Sequence, residues 1–170
     1  MSNLNNRIYG ELCDWKYVEN ILNEYSIHQK RKLKWMNAIL IFVSLAGIAG
    51  WFRFEEYKVF WTVVLILVQG IRLLQNVIFI SNEDLFNIKN SIAFYSFNIL
   101  DLENLYYDYH KGKYSEDIIE KRFNKLREKE RDLFVKQTFD KVKPHDKLVR
   151  VAENHTDKYL NKIIKNVTNE

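Results

Sequence analysis

Two apolar runs, residues 35–52 and 59–80, are separated only by Arg53-Phe-Glu-Glu-Tyr-Lys58 in a chain otherwise rich in charge. A bilayer core of about 30 Å needs about 20 mostly apolar helical residues at roughly 1.5 Å each, so both runs are long enough to span one. The polar connection leaves no room for a domain on the far side. The remaining mass therefore belongs on the side that carries both flanking segments, and the spacing predicts a transmembrane helical hairpin over 35–80.

The average hydropathy hides this pattern, because the two runs are diluted by polar, helix-forming sequence. Net charge is +4, with basic and acidic residues nearly balanced after residue 80, so no segment carries the field of a nucleic-acid binder. Direct nucleic-acid binding is not expected. The basic excess is local, in Lys30, Arg31, Lys32 and Lys34 just before the first run, whereas the connection offsets Arg53 and Lys58 with Glu55 and Glu56. A basic cluster beside a span stays cytoplasmic, which predicts a multi-pass membrane protein with both termini in the cytoplasm. The single cysteine, Cys13, accords with a reducing compartment. A cleaved signal sequence would place its charges at the extreme N-terminus, but patterned sequence precedes the cluster here.

The chain divides by pattern into an N-terminal cytoplasmic helix in 1–34, the hairpin in 35–80 and a cytoplasmic helical region in 81–170. In 7–29, Ile8, Leu12, Trp15, Val18, Leu22 and Tyr25 recur at helical spacing. The polar face of that helix is mixed in charge, which favours packing on the protein's own helices over lying on lipid. Beyond the hairpin, Leu85, Ile88, Ile92, Tyr95, Ile99, Leu102, Tyr106 and Tyr109 alternate in steps of three and four, a heptad seam that needs a partner surface and predicts a homo-oligomer, with packing inside one subunit as the alternative. A second stripe of Phe86, Phe94, Phe97, Leu100, Leu105 and Tyr107 widens the apolar face, so that the helix is expected to contact more than one neighbour. Gly112 suits a helix stop and Ser115 the N-cap of a next helix over 116–142, broken by Pro144; a last helix is expected over 145–167. The fold class is all-α, without strands or repeats.

Within the hairpin, Ala46, Gly47 and Gly50 allow close helix approach. Trp35, Trp51, Tyr57 and Trp61 mark the headgroup levels. Gln69, Arg72 and Asn76 share one face of the second run, with Gln75 beside them. Arginine near a span's centre costs about 2.5 to 3.5 kcal/mol on insertion scales, while each Val, Ile, Leu or Phe returns about 0.3 to 0.6, so the span inserts but Arg72 must avoid lipid. Facing a pore, pairing with another subunit's polar groups or snorkelling to the interface would each achieve this, and the stripe reads either as a pore lining or as glue between helices. No catalytic motif is present: His28, His110, His145 and His155 lack metal-ligand spacing, and there is no phosphate loop or nucleophile elbow. The chain reads as a non-enzyme without a cofactor.

The basic entry 30–37 into a Trp-Met-Asn-started span, the segment Ser44-Leu-Ala-Gly-Ile-Ala-Gly-Trp51, a second span and a helical tail together resemble the SLATT group of two-transmembrane bacterial proteins, over roughly residues 10–160. The resemblance implies that the membrane is the bacterial inner membrane and the chain a pore-forming effector that disrupts it during phage infection, partnered with a nucleotide-signalling or reverse-transcriptase system. It assigns no individual residue a role. The competing reading from the residues alone is a membrane-tethered scaffold that recruits a partner through its cytoplasmic helices and conducts nothing.

Overall fold

The computed structural model describes residues 3–78, 80–136 and 142–168, and every regular element among them is helical. Five α-helices follow in order: α1 (Asn3–Arg53), α2 (Lys58–Ile78), α3 (Asn82–His110), α4 (Glu116–Lys136) and α5 (Asp146–Thr168), with a 3-10 turn at Glu55–Tyr57 between α1 and α2. Contacts group them into two compact units. One contains the first half of α1 with nearly all of α3 and with α4 and α5; the other is Ile27–Phe86.

The sequence pattern separates an N-terminal helix from a first span, but α1 runs through both as one helix of 51 residues. The reason is local. Between Tyr25 and Trp35 lie Gln29, Lys30, Arg31, Lys32, Leu33 and Lys34, all good helix formers, with neither Gly nor Pro to stop propagation.

The first unit is a four-helix bundle. The apolar face of early α1 supplies Ile8, Leu12, Trp15, Leu22 and Tyr25 to its core, all buried, as the amphipathic spacing expects. They meet Ile88, Tyr95, Ile99, Leu102 and Tyr106 of α3, Ile119, Phe123 and Leu126 of α4, and Ala152, Leu160 and Ile163 of α5. Rings set the α1–α3 contact: Trp15 meets Tyr95 edge-on at 6.0 Å between centroids, and Tyr9 lies 5.9 Å from Tyr106. Polar contacts tie the other helices to this pair. Arg7 bonds Glu120 of α4 at 2.9 Å, and Asn20 donates to Thr156 of α5 at 2.9 Å. The Tyr159 hydroxyl of α5 donates to Glu103 of α3 at 2.8 Å. Arg7 and Glu120 are both substantially exposed, so their pair contributes at most about 1 kcal/mol, and burial of the apolar faces carries the bundle.

The heptad seam is therefore core. Leu85, Ile88, Tyr95, Ile99, Leu102 and Tyr106 are buried and Ile92 and Tyr109 half-buried within one chain. The surface that the seam requires is supplied, over the bundle, by α1, α4 and α5 of the same molecule.

The helix ends follow their sequence signals. Gly112 adopts φ 60, and the paired bonds Lys113 N to Asp108 O and Gly112 N to Tyr109 O, both 3.1 Å, complete a Schellman close to α3. Ser115 precedes α4, its carbonyl accepting from Ile118 and Ile119 at 3.1 Å. At the start of α3, the Ser81 hydroxyl accepts from Asp84 N at 3.0 Å, an N-cap, and donates to the Asp84 carboxylate at 2.7 Å. Helix α4 is described to Lys136; its expected continuation toward 142 falls largely on residues 137–141, outside the described residues.

Candidate membrane hairpin and its polar stripe

In the second unit the chain leaves α1 through a tight turn. Phe54 N bonds Gly50 O at 2.9 Å, and Tyr57 N bonds Phe54 O at 3.2 Å. Helix α2 then packs back on α1 through its row Trp61, Leu65 and Val68. Gly47 and Gly50 make this approach possible. A Cβ at Gly47 would sit 3.0 Å from Leu65 Cδ2, and one at Gly50 would overlap the Trp61 indole. Both glycines are buried, whereas Ala46 is exposed. The close contact thus runs through Gly47 and Gly50, with Ala46 turned outward and away from it. Lys58 lies 5.7 Å from the centroid of the Trp51 ring at the turn.

Outside that contact the hairpin shows its apolar side chains to its surroundings. Trp35 is 72%, Phe42 74%, Phe52 75%, Val59 79% and Leu73 82% exposed. Among the described residues one helix, α1, is long and apolar enough to cross a membrane, and only 11% of its most apolar stretch is buried, where the core helix of a soluble protein would be mostly buried.

Polar groups inside these helices divide into two sets. Ser44 donates to Leu40 O at 2.7 Å and Thr62 to Lys58 O at 2.8 Å, so both are satisfied within their own helix. Gln69 and Arg72 are exposed on α2. Arg72 borders a small cavity of about 120 Å³ with Leu40, Ile41, Ser44, Leu45 and Val68, and among the described residues it takes part in no ion pair. Gln75 and Asn76 belong to α2, but their side chains lie outside the described residues. Arg72 stands 14 positions after Lys58, about 21 Å along the helix, so it lies nearer the end of α2 than the turn.

In the bundle, a cluster that the sequence did not single out lies where α1, α3 and α4 meet. The Tyr95 hydroxyl donates to Glu130 at 3.0 Å, and Arg127 approaches Glu11 at 3.4 Å. Burial pushes the Glu11 carboxyl above its ordinary range; Arg127 opposes this and Glu130 adds to it. Burial, reinforced by Glu130, holds the Tyr95 phenol far above its usual value, so it serves as a fixed donor. Burial also raises the Cys13 thiol, which disfavours the reactive thiolate. No group of three His, Cys, Asp or Glu side chains is arranged to hold a metal among the described residues.

The chain matches no protein-family model, and no curated protein or solved structure matches it.

Proposed function

We propose that the chain is an oligomeric effector of the bacterial inner membrane that forms or gates a pore and disrupts the membrane when triggered, in anti-phage defence. In this reading α2 is a second span beside the apolar half of α1, and the segments flanking the hairpin are cytoplasmic. The observation that carries it is Arg72, exposed together with Gln69 on a helix whose outward side chains are otherwise mostly apolar. In hydrocarbon a lone guanidinium is costly, and further subunits would relieve it by turning Gln69, Arg72 and Asn76 toward a shared polar interior. The buried seam leaves assembly to the hairpin and to the outer faces of the bundle. A nucleotide-signalling or reverse-transcriptase partner supplies the trigger, as the resemblance implies.

One observation favours a second reading. Phe97 is 77% and Leu100 59% exposed on one face of α3, an apolar surface suited to a partner protein, as a non-conducting scaffold would need. Cell experiments separate the two. The effector reading expects a carbonate-resistant protein with both terminal reporters cytoplasmic, whose expression depolarises cells. A resistant protein that leaves the membrane potential intact when its defence system is triggered would favour the scaffold.

A further inference from the structure

On the second unit, an open groove of about 630 Å³ runs along α1 beside α2. One end is cationic, formed by Arg31 and Lys32 with His28 beside them; its walls are Trp35, Ile39 and Ile71, with Met36 and Leu40 completing the lining. The α1 positions 28, 31, 32, 35, 36 and 39 fall on one helix face, so charge gives way to hydrocarbon along a single track about 12 Å long from Lys32 to Leu40. The walls do not close over it: Trp35 is 72%, Ile39 58% and Ile71 43% exposed.

We infer that this groove is a binding site for one anionic phospholipid, with the headgroup phosphate at Arg31 and Lys32 and an acyl chain along Trp35, Ile39 and Ile71. Two features select that chemistry. A free phosphate would use the cations and leave the apolar walls bare, whereas a zwitterionic lipid would place its own cation against the guanidinium. Only an amphiphile with a net negative head satisfies both ends. The site rests on the membrane reading above, since it places the cationic end at the cytoplasmic headgroup level and the walls at acyl-chain depth. Leu40 lines both this groove and the Arg72 cavity, so an occupying acyl chain packs beside the wall of that cavity.

Native mass spectrometry of the full chain in mild detergent, titrated with phosphatidylglycerol or phosphatidylcholine of identical chains, tests the site. The expected result is one retained phosphatidylglycerol per chain in preference to phosphatidylcholine. The double variant Arg31→Gln/Lys32→Gln should weaken phosphatidylglycerol binding about thirtyfold, from the loss of two headgroup contacts. Lys30→Gln/Lys34→Gln removes the same charge from positions that do not line the groove and should change it by less than about threefold. Equal retention of both lipids, equal losses in the two double variants, or full competition by glycerol phosphate alone would each overturn the site. Carbonate extraction of the same variants keeps the two claims apart. Extraction of the wild type would refute the membrane reading, whereas a resistant wild type without lipid preference would refute only the groove.

Discussion

Ile99 and Phe97 stand two positions apart on α3, and the structure assigns them opposite fates on substitution by aspartate. Ile99 is 4% exposed inside the bundle; Phe97 is 77% exposed on its outer face. Ile99→Asp removes a buried side chain worth about 1.5 to 3 kcal/mol and places an unpaired carboxylate in the core, at several kcal/mol more. The sum, about 5 kcal/mol or above, matches the whole stability of an ordinary domain, roughly 5 to 15 kcal/mol. Phe97→Asp, away from the core, should stay within about 0.5 kcal/mol. Trp15 reports the difference, because its ring meets Tyr95, one helical turn from Ile99, at 6.0 Å. With Trp35, Trp51 and Trp61 replaced by Phe, urea titration of Trp15 fluorescence should show the Ile99→Asp bundle unfolded before urea is added and the Phe97→Asp bundle unfolding with its parent. Any loss of oligomer in Ile99→Asp should accompany that unfolding. A folded Ile99→Asp bundle that merely dissociates would refute the assignment of the seam to the core of one chain.

The raised Glu11 carboxyl means that the folded bundle favours the neutral acid. Its stabilising contribution is present below the ordinary carboxylate range and is lost as pH rises through the raised value. Glu11→Gln should therefore raise the urea midpoint at pH 8 and shrink the difference between pH 8 and pH 5; a lower midpoint at pH 8 would show that the Arg127 pair outweighs burial. In the hairpin, Gly50→Ala drives a methyl into the Trp61 indole and should cost about 1 to 3 kcal/mol. Gly47→Ala meets the flexible end of Leu65 and should cost less, so melting in detergent should rank the two in that order, with Trp61→Leu restoring part of the Gly50→Ala loss.

Local chemistry made much of the helical order legible. Gly112 and Ser115 announce the α3–α4 turn because a left-handed glycine closes α3 with bonds to its last carbonyls, and Ser115 stands where its carbonyl accepts the first bonds of α4. The apolar spacing of Ile8, Leu12 and Trp15 likewise marks a face that must be covered. What covers a face is not written in its period. The α3 seam has the spacing of an oligomer contact, yet its partners are α1, α4 and α5 of the same chain, residues far away in sequence. For the same reason Ala46 and Gly47 read alike as small residues, and only the direction of each around α1 shows that Gly47 meets Leu65 while Ala46 turns outward. The join between early α1 and the apolar stretch was also hidden, because the change from amphipathic to apolar sequence looks like a boundary even where the helical backbone has no reason to stop. The Glu11, Tyr95, Arg127 and Glu130 cluster was missed because its members come from three helices; a glutamate at a position close to a core face was the only signal available.

The account turns on whether Gln69, Arg72 and Asn76 face a conducting interior. Purified protein reconstituted into liposomes that hold an ion gradient tests this most directly, with the oligomer size of each sample measured alongside. Leucine at all three positions makes α2 more insertable and removes only the polar lining. The account predicts that wild-type protein collapses the gradient and that the triple-leucine protein inserts, assembles to the same size and holds the gradient. Collapse by an equally assembled triple-leucine protein would contradict it.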